Sequence, residues 1–299
     1  MKKILITGGT GLLGVNLAIR ISNYYETFIL LNKKIIEIPS TLNNKDIKSL
    51  EEVFSKFNPD LVINTVAETD VDLCEDKPSL AVDTNLNYLK KIIVICKLHK
   101  CKILHISTDH LSDGSEPFVK ENQEASPLNQ YAKTKLLAEQ YLLKEMPNSL
   151  IIRTSFFGWG PRYRFSFSDK IINKINDNKS VLLFEDAFFS PISIRRLCTI
   201  IIMLFEKEAY GIYNISSNDR ISKYKFGLML CGSFRLNKNY VLKDKIIERT
   251  DLTIRPVDTS LNNKKLTDFL NFNCGSVNEN IKDLFHDIKD GIKDKIVKL

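Results

Sequence analysis

A short apolar run that leads into three spaced glycines constrains the fold of this chain more than any other feature. Residues 3–6, Lys-Ile-Leu-Ile, are followed by Thr-Gly-Gly-Thr-Gly-Leu-Leu-Gly at residues 7–14. In a strand–loop–helix unit, Gly8 permits the tight turn, Gly11 lets a pyrophosphate approach the main chain, and Gly14 lets the helix pack closely on the strand. The start of that helix would direct unpaired N–H groups at the phosphates. The segment predicts a dinucleotide-binding unit; the alternative is a tight turn that binds nothing.

Short apolar segments alternate with helical patterns through the first half of the chain. We predict strands at 4–6, 27–31, 61–63, 103–106 and 150–152, and helices at 12–22, 47–57, 78–96 and 131–141. The strands show no polar–apolar alternation, which is typical of a parallel sheet that helices cover on both faces. We therefore predict an α/β fold, a doubly wound parallel sheet of the Rossmann type with a smaller α/β C-terminal lobe. Residues 1–155 would form the dinucleotide-binding domain and residues 156–299 the substrate-binding lobe, with some chain crossing back.

Charge and cysteine content narrow the class of protein. A net charge of +7 comes from lysines scattered along the whole sequence, without a basic tract or a nucleic-acid-binding motif. We expect no nucleic-acid partner. The six cysteines form no C-x-x-C pair, and the four histidines are not spaced with them as zinc ligands, so we expect no metal and reduced thiols. The most apolar helical stretch, residues 197–205, is too short to span a bilayer. These features indicate a cytoplasmic protein without a membrane segment.

A tyrosine and a lysine lie one helical turn apart in the predicted helix at 131–141. Tyr131 and Lys135 share a face at this spacing. A nearby cation lowers the pKa of a phenol, so the pair would make a tunable proton donor. The alternative is a core tyrosine beneath a lysine that extends over it to solvent. Thr108 ends the fourth predicted strand, at the sheet edge where ligands bind, and its hydroxyl could hold a substrate carbonyl; the alternative is a turn or cap residue.

These three segments together resemble the extended short-chain dehydrogenase/reductase family. The glycine segment, Ser107-Thr108-Asp109 and Tyr-x-x-x-Lys carry the resemblance, which is closest to the dTDP-4-dehydrorhamnose reductase branch. Further segments that are similar to this branch are 59–64, 71–75, 107–114, 127–129, 153–155, 189–191, 211–215 and 255–256. The similarity covers nearly the whole chain.

The resemblance implies a set of cofactor contacts. The residues that it places against the cofactor are Gly8, Gly11, Leu12, Leu13 and Gly14 at the pyrophosphate, Asp46 and Ile47 beside the adenine, Ala67, Glu68 and Thr69 after the third strand, and Tyr131 and Lys135 at the nicotinamide ribose. A carboxylate at the end of the second predicted strand would favour NAD, but this chain has Lys33 and Lys34 there. A cation can pair with a 2′-phosphate. We therefore expect NADPH, with NADH as the alternative if these lysines form only a solvated turn.

The resemblance also implies catalytic and substrate-binding residues. Tyr131 would protonate the oxyanion formed as hydride reaches a ketone, Lys135 would lower the pKa of Tyr131, and Thr108 would hold the oxygen. The substrate-binding residues would be Thr108, Asp109, His110, Phe156 and Phe189, and the nucleotide would lie along residues 153–164 and 188–192. Where the branch has Tyr and Trp, this chain has His110 and Phe156, which leaves the sugar open. His110 could equally be a packed or hydrogen-bonded side chain.

The expected activity is NAD(P)H-dependent reduction of the 4-keto group of a nucleotide-activated deoxysugar, as in the biosynthesis of dTDP-rhamnose and polysaccharides. The nucleotide sugar is the expected partner, and a homodimer is compatible with the sequence. Two alternatives remain open. One is a nucleotide-sugar epimerase or dehydratase of the same family, and the other is a non-catalytic regulatory subunit resembling that of methionine adenosyltransferase.

Overall fold

The computed structural model describes residues 1–31, 34–44 and 49–299. In chain order its strands are β1 (Lys3–Thr7), β2 (Glu26–Leu30), β3 (Thr41–Asn43), β4 (Leu61–Asn64), β5 (Lys102–Ile106), β6 (Leu150–Thr154), β7 (Phe156–Phe157), β8 (Val181–Phe184), β9 (Phe188–Phe189), β10 (Ile192–Ser193), β11 (Gly211–Ile215), β12 (Ile221–Ser222) and β13 (Val241–Asp244). Its α-helices are α1 (Leu12–Ile21), α2 (Leu50–Phe57), α3 (Val71–Asp76), α4 (Pro78–Val82), α5 (Tyr88–Leu98), α6 (Gln130–Glu145), α7 (Phe167–Asn176), α8 (Ile194–Glu206), α9 (Lys223–Phe234), α10 (Lys264–Leu270), α11 (Val277–Lys289) and α12 (Ile292–Val297). A π-helical turn, Asp83–Asn87, joins α4 to α5.

A parallel sheet forms the centre of the fold. Within the described residues it has seven strands in the order β3-β2-β1-β4-β5-β6-β11, and all neighbouring pairs run parallel. The order reverses between β1 and β4, and ligands of such open sheets bind outside the carboxyl ends of the strands at this point. The predicted doubly wound Rossmann sheet is confirmed, and the glycine loop after β1 begins at the reversal.

Helices cover both faces of the sheet because successive residues of a strand point to opposite sides. Ile4 and Ile6 of β1 lie in one buried cluster with apolar residues of α1, α8 and α11. Leu5 lies in a second cluster with apolar residues of α2, α5 and α6. Burial on both sides explains why the strands are continuously apolar.

The C-terminal half contributes to the central sheet as well as to smaller strand pairs. β11 pairs with β6 and forms one edge of the sheet, so the chain crosses back into the N-terminal unit. The smaller pairs are β7 with β10, β9 with β12, and β8 with β13. The apolar helical stretch at residues 197–205 lies within α8. The domain boundary at residue 155 remains a prediction.

The helix that carries Tyr131 begins at the edge of the sheet where β5 ends. Asn129 precedes α6, and its side-chain oxygen accepts a hydrogen bond from the Ala132 N–H at 3.0 Å. This cap satisfies one of the unpaired donors of the first turn. Tyr131 is therefore in the first turn of α6 and Lys135 in the second, and both side chains are buried.

Candidate active site

The glycine loop after β1 forms a cradle of backbone atoms at the start of α1. Gly8 has a φ of +74°, and the Gly11 N–H donates to the Gly8 carbonyl oxygen at 2.8 Å. A Cβ on Gly14 would lie 2.2 Å from that same oxygen, so α1 approaches the loop too closely for any side chain. Gly11 caps α1 without a side chain, which leaves the first N–H groups of the helix available to an anion. The cradle fits the pyrophosphate of a dinucleotide.

A cleft extends from this cradle in both directions along the sheet edge. One part has a volume of about 880 Å³ and the other about 980 Å³, and both are lined by Gly11, Thr65, Ala67, Glu68 and Arg164. The predicted cofactor contacts that line the cleft are Gly8, Gly11, Leu12, Leu13, Ala67, Glu68, Thr69, Tyr131 and Lys135. Gly14 lies behind the loop, and Lys33, Asp46 and Ile47 lie outside the described residues.

The π-helical turn between α4 and α5 anchors the loop that follows β4. Asn85 in this turn is buried, its Oδ1 accepts from the Glu68 N–H at 2.8 Å, and its Nδ2 donates to Thr134 Oγ1 at 3.0 Å. These two bonds tie the loop to α6. Ala67, Glu68 and Thr69 are thereby held in the cleft wall. Turns of this kind occur frequently at functional sites.

Thr108, Tyr131 and Lys135 lie together in the larger part of the cleft. Their exposed fractions are 3%, 8% and 1%, and the Tyr131 hydroxyl shares a hydrogen bond with Thr108. Burial raises the pKa of Tyr131, while the bond to Thr108 lowers it and the charge of Asp109 raises it further. The phenol is thus protonated at neutral pH. The lowering of this pKa by Lys135 stays a prediction.

The Lys135 nitrogen bonds to the end of β5. It donates to the Ile106 carbonyl oxygen at 2.7 Å and lies 3.3 Å from His105 Nε2. Burial lowers the pKa of Lys135 to about 8, against the opposing charge of Glu139. Lys135 therefore changes its charge much closer to neutral pH than an exposed lysine does.

A smaller cavity of about 230 Å³ continues from this part of the cleft toward the C-terminal half. Asp109, His110, Phe156 and Phe189, which sequence reasoning assigned to the substrate, all line it. The His110 ring packs edge-on against the Tyr131 ring, with centroids 5.9 Å apart. Burial lowers the pKa of His110, with nearby cations adding to the effect and Asp109 opposing it. A neutral imidazole that packs on Tyr131 fits these contacts better than an acid does.

Lys223 is a basic residue of the cleft that was not predicted from the sequence. Lys223 lines both the larger part of the cleft and the smaller cavity, and it is the first residue of α9. Burial lowers the pKa of Lys223, which Asp109 raises and Arg255 lowers. A cation at the positive end of a helix dipole is unfavourable. This unfavourable position of Lys223 was the feature of the sequence that could have indicated a binding role. Arg164, the last residue of the segment 153–164 expected along the nucleotide, lines both large parts of the cleft.

One expectation about the nucleotide path is wrong. Arg153 was expected to line the cleft, but it is buried in a bidentate ion pair with Glu139, at 2.7 Å from Nη2 to Oε2. A strand residue whose side chain points under α6 cannot also face the sheet edge. Ser155, Phe156 and Phe188 of the expected segments do line the smaller cavity.

The described residues offer neither a metal-ligand cluster nor a membrane-spanning helix. Among the described residues, no group of three or more His, Cys, Asp or Glu side chains could hold a metal ion. None of the helices in the described ranges is long and apolar enough to cross a membrane. All six cysteines are buried and free.

The fold and the cleft define an α/β protein of the Rossmann class with a Tyr-x-x-x-Lys pair beside its dinucleotide cradle. The chain belongs to the family described as the RmlD substrate binding domain, whose model matches residues 1–289. Its similarity to a dTDP-4-dehydrorhamnose reductase of Aggregatibacter actinomycetemcomitans is 30% identity over 240 residues, 77% of this chain and 78% of that protein. The methionine adenosyltransferase 2 subunit beta of Xenopus laevis is 24% identical over 284 residues, 89% of this chain and 81% of that protein.

Solved structures resemble this fold over nearly its full length. A hypothetical dTDP-4-dehydrorhamnose reductase from Sulfolobus tokodaii superposes with a TM-score of 0.79 at 32% identity, covering 92% of this chain and 97% of that one. A dTDP-4-dehydrorhamnose reductase from Bacillus anthracis in complex with NADP has a TM-score of 0.85 at 24% identity, covering 96% of this chain and 100% of that one. The latter similarity shows the fold alone.

Proposed function

We propose that this protein is an NADPH-dependent oxidoreductase that reduces the 4-keto group of a nucleotide-activated deoxysugar. One observation carries the proposal: Thr108, Tyr131 and Lys135 open onto the same cleft as the glycine cradle. Relatives named as dTDP-4-dehydrorhamnose reductases support the reaction class.

The residues around the cradle fit a nicotinamide dinucleotide. The glycine loop would hold the pyrophosphate, and Tyr131 and Lys135 would lie at the nicotinamide end. Lys34 supports NADPH over NADH, because a cation at the cleft can pair with the 2′-phosphate that only NADPH carries. The Lys34 nitrogen lies 3.8 Å from the ring centroid of Tyr163, a residue of the cleft wall. Arg164 is a second cation on this wall. The cofactor supplies the hydride when bound.

Tyr131 would donate the proton to the substrate oxygen. Burial keeps the pKa of its hydroxyl high, so the phenol holds a proton until negative charge develops on the substrate oxygen nearby. The Thr108 hydroxyl would donate a hydrogen bond to the same oxygen, which stabilises charge that appears only as the carbonyl is reduced. The positive charge of Lys135, one turn along α6, would then stabilise the phenolate left on Tyr131.

The substrate would extend into the cavity beside the C-terminal half. Asp109, His110, Phe156 and Phe189 would contact the sugar or nucleotide there. Residues 1–155 would form the dinucleotide-binding domain, which also contributes Asp109 and His110 to the substrate site, and residues 156–299 would form the substrate-binding lobe. Lys223 would attract an anionic group of the substrate.

A cytoplasmic location and assembly as a homodimer belong to the same proposal. Size-exclusion chromatography with light scattering tests the homodimer.

A panel assay tests the activity. NADPH consumption is followed with enzymatically prepared nucleotide 4-keto-6-deoxysugars, using wild-type protein, Tyr131→Phe, and Tyr141→Phe as a matched control on the same helix. We expect Tyr131→Phe to bind NADPH normally and to lose about 10²-fold or more of kcat, as for loss of a general acid. Tyr141→Phe should turn over like wild type. Full activity of Tyr131→Phe would remove Tyr131 as the proton donor.

Similarity to the methionine adenosyltransferase subunit favours a second candidate, a non-catalytic regulatory subunit. Inactivity on every keto sugar, together with co-purification of a stoichiometric enzyme partner, would support that role. An epimerase or dehydratase would instead be purified with tightly held NAD, which its absorbance spectrum reveals.

A further inference from the structure

A row of buried polar side chains crosses the sheet beneath the catalytic lysine. Thr7, Asn64 and His105 are register partners on the adjacent strands β1, β4 and β5, and their exposed fractions do not exceed 1%. Thr7 Oγ1 donates to Asn64 Oδ1 at 2.6 Å, Asn64 Nδ2 lies 3.0 Å from His105 Nδ1, and His105 Nε2 lies 3.3 Å from the Lys135 nitrogen. Apolar residues fill the two preceding rows of these strands. A polar row in this position is costly unless each group is paired.

A backbone donor fixes which way the Asn64 amide points. The Val66 N–H donates to Asn64 Oδ1 at 3.3 Å, and Thr7 donates to the same oxygen. A flipped amide would set its NH2 group against the Val66 N–H, two donors facing each other. The Asn64 NH2 group therefore points at His105, and it can only donate.

The amide in turn fixes the ring tautomer of His105. Burial holds the pKa of His105 well below its ordinary value, and the charge of Lys135 lowers it further, so the ring is neutral and carries one proton. Because Nδ1 accepts from Asn64, that proton is on Nε2. The Nε2–H group faces the Lys135 nitrogen.

We propose that Asn64 and His105 are positioning residues that act through Lys135: Asn64 fixes the tautomer of His105, whose Nε2–H then faces the Lys135 nitrogen as a hydrogen-bond donor. This inference rests on the proposed function, in which Lys135 serves the cofactor and Tyr131. A donor facing an ammonium is unfavourable, whereas a neutral amine accepts its hydrogen bond and still donates to the Ile106 carbonyl. The row therefore favours the neutral form of Lys135.

Other charged groups around Lys135 do not reverse this preference. Glu139 on the same helix favours the ammonium, but its carboxylate is paired with Arg153 on β6 and accepts from Ser107. The other titratable groups that face Lys135 or line its part of the cleft are Tyr131, Tyr163, Cys74, Glu68, Asp70, Asp72, Asp109, His110, Arg164, Lys170, Lys223 and Arg255. None of them is hydrogen-bonded to the Lys135 nitrogen among the described residues.

The consequence is a lysine whose charge is conditional. Its ammonium, present at low pH, can donate to the hydroxyls of a bound ribose and stabilise a Tyr131 phenolate. As the pH rises through the pKa of Lys135, about 8, the charge is lost and both effects disappear. Cofactor affinity should fall in the same interval.

Two measurements test the inference. The first is the tautomer of His105, read from long-range ¹H–¹⁵N correlations of histidine-labelled wild-type protein, with the signal assigned through a His105 variant. We expect protonated Nε2 and unprotonated Nδ1 across the neutral range. Protonated Nδ1 would overturn the proposal, and this arm requires no variant to be stable.

The second measurement is the pH dependence of the NADPH dissociation constant. Wild type should show a fall in affinity near pH 8 that Lys135→Met removes and the exposed neighbour variant Lys133→Met retains. Asn64→Asp keeps the bonds to Thr7 and Val66 but accepts from His105 Nδ1, so Nε2 becomes an acceptor for the ammonium. We expect the fall to move up by about one pH unit.

An unmoved fall in Asn64→Asp would refute the inference while leaving the reductase proposal intact. If no keto sugar is reduced while the pH dependence of NADPH binding is as expected, the proposed substrate is refuted and the inference stands.

Discussion

Replacing Gly14 by alanine tests the close approach of α1 to the glycine loop. The added Cβ would lie 2.2 Å from the Gly8 carbonyl oxygen and 3.0 Å from both Gly8 C and Gly9 Cα, whereas real Cβ atoms stay beyond 3.0 Å. All three contacts are backbone atoms of the cradle, so no side chain can rotate away. The helix and the loop must separate, and the cradle then changes shape.

The expected magnitude follows from two opposing effects. Overpacking of a dense site costs about 1–3 kcal/mol, and rigid backbone contacts favour the upper end of this range. Alanine is a better helix former than glycine by about 1 kcal/mol, which offsets part of the cost. The net loss in the free energy of unfolding should be about 2 kcal/mol, a fall in Tm of roughly 4 °C for a chain of this size.

Gly232 provides a matched control for this substitution. It also lies within a helix, α9, but it is exposed, and its Cβ would meet only the end of the Lys238 side chain at 3.7 Å. Gly232→Ala should therefore raise stability by about 0.5–1 kcal/mol. Denaturant unfolding gives both changes, and fluorescence titration should show NADPH affinity lowered tenfold or more in Gly14→Ala alone. Wild-type stability and affinity in Gly14→Ala would refute the close-packed cradle.

Three further substitutions have distinct expected outcomes. Gly11→Ala should change the free energy of unfolding by no more than about 1 kcal/mol, because its Cβ meets only one atom, at 3.0 Å. Calorimetry should nevertheless show severely weakened NADPH binding. Lys223→Met should raise the KM for the nucleotide sugar about tenfold with kcat nearly unchanged, which is the size expected for loss of a charge-assisted hydrogen bond. Steady-state kinetics of the control variant Lys225→Met, on the exposed side of the helix, should match those of wild type. Glu139→Gln leaves Arg153 buried without its charge partner and should lower the free energy of unfolding by about 3–5 kcal/mol; an undiminished denaturation midpoint would contradict this.

Local features of the fold could be read from the sequence because they depend on neighbouring residues. Three such features have short-range physical causes: the apolar run before Gly8, the apolar helical stretch that lies in α8, and the spacing of Tyr131 from Lys135. The position of β11 at the sheet edge could not be read, because pairing with β6 joins segments that are distant in sequence. The short strand β3 and the π-helical turn also escaped, since neither has a periodic pattern.

The candidate site was predicted only where a motif marks it. Tyr131, Lys135 and Thr108 are motif residues, and they meet in the cleft. Lys223 belongs to no motif, and it reaches the cleft only because α9 begins there. The pairing of Asn64 with His105 was equally hidden, because register partners on neighbouring strands cannot be recognised before the strand order is known.

Transfer of labelled hydride gives the sharpest test of ketone reduction at this site. Wild-type protein is incubated with NADPH deuterated at the transferring position and a dTDP-4-keto-6-deoxysugar, and the product is analysed by NMR and mass spectrometry. We expect deuterium at sugar C4, and we expect Tyr131→Phe to yield about one hundredth of the product or less at unchanged NADPH affinity. Product without deuterium at C4, or equal product from Tyr131→Phe, would contradict this expectation.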